Sequence, residues 1–127
     1  SGLAAQRVRM DVIAGNLAMS EVTEDEAGQP NPYRRRFAVF QPETQSGKPG
    51  VSVAKIAEDE SDFRLKYDPG HKDAIREGPL RGYVRYPNVD PNLEYVDALE
   101  ATRAYEANLA AFNMSKAMLT SSLKLLA

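Results

Sequence analysis

The stretch Pro91–Leu126, PNLEYVDALEATRAYEANLAAFNMSKAMLTSSLKLL, decides the fold of this chain. No glycine and no second proline interrupts it, so it reads as one helix. Asp90 stands at the N-cap position, and Pro91 suits the first helical position, where its missing N–H costs nothing. Ala98, Thr102, Tyr105, Leu109, Phe112, Lys116, Leu119, Leu123 and Leu126 alternate in steps of four and three, a coiled-coil-like seam. Ala107, Ala111, Met114, Met118 and Leu125 form a second stripe beside it, which implies more than one neighbour.

Magnitudes make that implication firm. Such a helix spans roughly 50 Å, whereas a compact globule of this chain length has a diameter of roughly 35 Å. The helix therefore overhangs any globule its own chain builds, and an uncovered apolar remainder marks an interaction surface.

Outward from this helix, residues 1–19 are rich in Ala, Leu, Val, Ile and Met and lack proline. Leu3, Met10 and Leu17 recur every seven residues, with Gln6 and Ile13 offset by three, which predicts an amphipathic helix with a narrow seam. It offers only about 28 Å of cover to its partner. Gly15 weakens it by about 1 kcal/mol relative to alanine, or admits a close helix approach. Between the helices most of the prolines and glycines collect, and short strands and turns are expected. Strand candidates are Tyr33–Gln41, Val51–Ala57, Phe63–Tyr67 and Gly82–Tyr86. Phe63, Leu65 and Tyr67 share one face of the third, which the turn Asp68-Pro69-Gly70 ends. The acidic, polar stretch Ser20–Pro32 is expected as a mobile loop. The fold class is therefore α+β. The helices 1–19 and 91–127 pair as an antiparallel coiled-coil-like arm around a small β-rich domain, 20–90.

The chain has 127 residues, 43% hydrophobic and 27% charged, with a net charge of −2 and no cysteine. No global basic field recruits nucleic acid or an anionic membrane. The cysteine count excludes a disulfide framework, a thiolate zinc site and a cysteine nucleophile. No run reaches the length of about 18 apolar residues that a membrane span needs, and no signal-peptide pattern opens the chain. Ser1 is not a natural start, so residues upstream of it are expected.

Catalytic chemistry finds no foothold. His71 is the only histidine and has no second imidazole or thiolate for a metal site; it reads as a loop residue. Glu58, Asp59, Glu60 and Asp62 lack the glycine and closing glutamate of a calcium loop and read as a solvated turn. Neither a phosphate loop, a GxSxG elbow nor an HExxH pair is present. Neither a cofactor nor a metal is expected. In Arg34-Arg35-Arg36, strand geometry puts Arg34 and Arg36 on one face, as a subunit contact or a solvated face. Asn16, Asn108 and Asn113 lie in otherwise apolar helical segments; they are exposed polar positions or buried amides that fix helix register.

At both ends the chain resembles the bacterial flagellar basal-body rod proteins. Ser1-Gly2-Leu3-Ala4-Ala5-Gln6-Arg7 with Asn16-Leu17-Ala18 is similar to the family's N-terminal helix. Arg103-Ala104-Tyr105-Glu106-Ala107-Asn108, with Phe112-Asn113 and Lys116-Ala117-Met118, is similar to its C-terminal partner. The central stretches Pro32–Arg36, Gly50–Val53, Tyr67–His71 and Gly82–Val89 look most like proximal-rod members, as does the short chain. One departure is Met19-Ser20-Glu21, where the family reads asparagine followed by threonines. The resemblance implies a non-enzymatic axial protein of the bacterial flagellum that stacks helically with itself and other rod proteins to transmit motor torque through the periplasm. It also implies passage through the flagellar type III export apparatus without a cleavable signal peptide, and no direct membrane insertion. On this reading Leu109, Phe112, Leu119 and Leu123 pack against Leu3, Met10, Ile13 and Leu17. Tyr105 and Asn108 then contact a neighbouring subunit, and Asn113 and Met118 belong to the same packing set. The alternative is a coiled-coil adaptor or export-associated chaperone that does not polymerise.

Overall fold

The computed structural model describes residues 2–43 and 50–127. Helix α1 spans Gly2–Ala18, strands β1 and β2 span Arg36–Pro42 and Val51–Glu58, β3 and β4 span Arg64–Tyr67 and Tyr83–Tyr86, and helix α2 spans Pro91–Leu126. Asp90 caps α2 as expected: it is extended (φ −98°, ψ 108°), and its carboxylate accepts from the Asn92 N–H. All four strand candidates form, with boundaries shifted by up to three residues.

Each sheet is a single antiparallel pair. In the first, Arg36 pairs with Glu58 and Pro42 with Val51, and the register shifts between Val39 and Phe40, leaving Ala54 as the extra residue of a bulge. In the second, Arg64 pairs with Tyr86 and Tyr67 with Tyr83. A lone two-stranded ribbon is marginal in water. The first is stabilised by packing on α1, which also packs along α2. In the second, Val84 is fully buried, while Leu65 is 46% and Tyr67 63% exposed. Segment 20–32 carries specific polar contacts. The Asp25 carboxylate accepts from the Ala27 and Gln29 N–H groups, Thr23 Oγ1 donates to Asp73 at 2.8 Å, and Lys72 pairs with Glu24 at 2.8 Å.

The two long helices run antiparallel. Gly2 of α1 lies against Asn108 of α2, Arg9 Nη2 reaches Glu100 at 3.3 Å, and Asn16 meets Glu94. A side chain at Gly2 would bring its Cβ within 2.9 Å of Asn108 Nδ2, so glycine permits the close start of the pair. Among the described residues, α2 extends about 27 Å past its contact with Gly2 at Asn108. Little apolar surface is buried: Ala5, Ile13, Val84, Val89 and Ala101 form the apolar core, beside the buried polar side chains Asn16, Thr23, Asp73 and Glu94. With so small an apolar core, the polar partners decide which packing is unique.

Candidate assembly surface and the polar joint beneath it

Past its first residue, Pro91, the covered positions of α2 are Glu94, Asp97, Ala98, Ala101, Ala104, Tyr105 and Asn108. They follow the four-three spacing of a helix seam, but the seam lies about one position from the expected one: Ala101 is fully buried, Thr102 exposed and Leu109 39% exposed. The covered positions include a carboxylate, Glu94, which is 1% exposed.

A buried carboxylate is tolerable only if its partners are supplied. Arg35 Nε donates to Glu94 Oε1, and Asn16 Nδ2 donates to Oε2 at 3.1 Å. Asn16, 0% exposed, also donates to the Arg36 carbonyl at 2.8 Å and accepts from Tyr33 Oη at 2.8 Å and from the Arg36 N–H at 3.0 Å. Its amide thus uses both donors and both acceptor sites. The rest of the Arg35 guanidinium lies 3.4 Å from Asp59 and 3.5 Å from Asp97. Asn88 completes the joint: its Oδ1 accepts from the Arg35 N–H at 2.8 Å, and its Nδ2 donates to the carbonyls of Asp59 and Ser61. Residues from α1, from 33–36, from 59–61 and from 88–97 meet here. Among the described residues no buried side-chain polar atom lacks a partner.

Charge follows from these contacts. Burial pulls the Arg35 pKa down, but the hydrogen bond and charge of Glu94, with Asp59 and Asp97, outweigh it, and the net shift is upward. The Ser61 N–H donating to Asp59 holds that carboxyl below its ordinary range, with Arg35 adding to the effect. Burial raises the Tyr33 hydroxyl pKa, which keeps it the donor that Asn16 requires.

The sequence-expected packing residues divide along α2. Ile13 is buried, and Leu3, Met10, Leu17, Tyr105 and Asn108 are half-buried; Met10 Sδ lies 3.7 Å from Thr102 Oγ1. Phe112 (58%), Met118 (65%), Leu119 (61%) and Leu123 (59%) are exposed, as is Asn113, on the part of α2 past the described start of α1. At that boundary an open groove of about 760 Å³ is lined by Leu3, Phe40, Val51, Ala107 and Phe112. Arg34 donates to the carbonyls of Asp59 and Ser61 and lies over the Phe63 ring; Arg36 is exposed and lies over Tyr33. The middle arginine, Arg35, and Glu94 were not singled out by the sequence. A glutamate within the first turn of an amphipathic helix looks like an ordinary response to the helix dipole, and nothing local says that an arginine far upstream meets it.

The chain exposes 9183 Å², while a compact monomer of 127 residues exposes about 6,700 Å². The exposed side chains of α2 include Leu109, Phe112, Met118, Leu119, Leu125 and Leu126.

Residues 80–125 match the family of flagellar basal body rod FlgEFG protein C-terminal regions. The chain is 43% identical to the flagellar basal-body rod protein FlgC of Bacillus subtilis, over 98% of this chain and 91% of that protein. It is 41% identical to the protein of the same name from Borreliella burgdorferi, over 99% and 91%, and 39% identical to that of Salmonella typhimurium, over 98% and 90%.

Proposed function

The chain belongs to the FlgC family of flagellar basal-body rod proteins and is a structural subunit of the rod, and from that premise we propose how it works. The uncovered distal half of α2 carries the proposal. Its apolar stripes pack against the terminal helices of neighbouring copies and of other rod proteins in the proximal part of the rod. Contacts that join unlike patches and do not close into a ring extend as a helix. Torque then passes through a continuous helix bundle. The polar joint fastens α1, α2 and the β1–β2 hairpin so that load on the helices reaches the hairpin without slippage between them.

The work is mechanical, with no catalytic step, cofactor or nucleic acid. Within the arginine cluster, Arg35 is held by carboxylates and Arg34 by carbonyls. No described helix is long and apolar enough to cross a membrane, and the basal-body location is reached by assembly. Passage through the flagellar type III export apparatus belongs to the same proposal. A chain without cysteines and with so few buried apolar side chains unfolds readily for a narrow channel. The reading as a non-polymerising adaptor or chaperone is not favoured, since near-full-length relatives are rod proteins by name.

Leu119→Asp tests the proposal. Leu119 is 61% exposed, so the isolated chain should keep its stability to within about 0.5 kcal/mol, while incorporation into purified basal bodies and motility are lost. A variant that assembles and swims normally would overturn the assignment.

A further inference from the structure

The β3–β4 ribbon carries opposite charges at its two ends. At one end, the loop joining the strands forms a cavity of about 630 Å³ lined by Tyr67, His71, Lys72, Arg76 and Arg81 among others, with no carboxylate in the lining. The loop is preformed. Ile75 N–H donates to the Tyr83 carbonyl and Gly82 N–H to the Ile75 carbonyl, and Gly78 and Gly82 hold positive φ values of 88° and 86°. The carboxylates of this loop are Asp68, Asp73 and Glu77; none lines the cavity, and Asp73 accepts from Thr23. Lys72 is held by Glu24. Arg76 and Arg81 are exposed, and among the described residues neither forms an ion pair or a side-chain hydrogen bond. Two free guanidiniums at a concave site select carboxylates, which they bind in a bidentate fork.

At the other end, where Arg64 pairs with Tyr86, the turn before β3 presents the exposed Glu60 and Asp62, with the exposed Glu58 at the end of β2 and Arg34 held on the Asp59 and Ser61 carbonyls. Asp59 between them is turned inward to Arg35 and Ser61. The strands alone hold the two ends about 10 Å apart, with the loops projecting beyond, and no ion pair joins them among the described residues.

We infer that the Arg76–Arg81 cavity receives the Glu60–Asp62 turn of a second copy of this chain. The contact rests on the rod reading above. It joins unlike patches, so it repeats without closing and adds a polar contact outside the helix bundle. Opposed charges of this kind fix register and exclude wrong docking.

Charge exchange tests it in cells that lack the wild-type copy. Arg76→Glu with Arg81→Glu, and separately Glu60→Lys with Asp62→Lys, should each lower the amount found in purified basal bodies by at least about tenfold. All four substitutions together should restore it. Unchanged incorporation of either pair, or no restoration, overturns the contact. Because the chain has no cysteine, Glu60→Cys with Arg81→Cys reads it directly, whether or not the reversals fold. Oxidation of basal bodies should give dimers and larger multiples of this chain. Incorporation without cross-linking, or a cross-link to a protein of another mass, overturns the second copy as partner. Wild-type chain missing from basal bodies would instead sink the rod reading itself.

Discussion

Asn16 and Glu94 meet across the two terminal helices: Asn16 Nδ2 donates to Glu94 Oε2 at 3.1 Å, 78 residues apart in the chain, with both side chains at most 1% exposed. An apolar seam tolerates sliding by a turn, but a buried amide facing a buried carboxylate does not. Any other register strands both groups without partners. Asn16→Leu keeps the volume and deletes four hydrogen bonds, leaving Tyr33 Oη, the Arg36 N–H and carbonyl and one Glu94 oxygen without it. The expected loss is about 3 kcal/mol, read from urea unfolding. A loss below about 0.5 kcal/mol would show that water takes over these partners.

Arg35 and Glu94 should be strongly coupled. Arg35→Ala leaves Glu94 buried with only Asn16, at a cost of about 3 kcal/mol. The double substitution to alanine should cost less than the two single ones summed, by about 1–3 kcal/mol. Additive losses in the double-mutant cycle would mean that the guanidinium acts through Asp59 and Asp97 alone.

Acid should loosen the joint through Asp59. Its pKa is depressed in the fold, first by the Ser61 N–H and then by Arg35. Its contribution is therefore complete above the unfolded carboxylate value and is lost as pH falls below about 4. Asp59→Asn keeps an acceptor for Ser61 but no titrating charge. Its unfolding free energy should vary less between pH 5 and pH 2.5 than that of the wild type; parallel curves would exclude Asp59 as a source of the acid sensitivity.

Two glycines should respond in opposite directions. A Cβ at Gly15 meets nothing within 4 Å, so Gly15→Ala should stabilise the isolated chain by about 0.5–1 kcal/mol. At Gly82, φ is +86° and a Cβ would fall 2.6 Å from the Tyr67 ring. Gly82→Ala should cost about 1–3 kcal/mol. Thermal melts of the two variants decide both. If Gly15→Ala lowers basal-body incorporation while raising the melting temperature, Gly15 is a close-approach point for a neighbouring helix.

The secondary structure was legible because its causes are local. Asp90 and Pro91 set the start of α2, and alternation and turn residues set the strands. The overhang followed from length alone. The seam of α2 was legible in kind but displaced: spacing pointed to Thr102 and Leu109, and packing chose Ala101 and Asn108. Small side chains let α1 approach closely there, and a periodic pattern does not distinguish a seam that this chain covers from one left open past Asn108. Of the three helical asparagines, Asn16 is buried, Asn108 half-buried and Asn113 exposed, a division that depends on where α1 ends and β1 begins.

By itself the sequence determined two helices of unequal length, a strand-rich middle and an apolar surplus on the longer helix. Those rest on propensity, periodicity and chain length, which act over a few residues or over the whole chain at once. Only the tertiary structure decided that Arg35 turns inward to Glu94 while Arg36 stays outside, and that Asn16 locks the helices in one register. The reason is electrostatic. A charge accepts burial only where partners from distant segments converge on it, and that convergence exists only once the chain has folded.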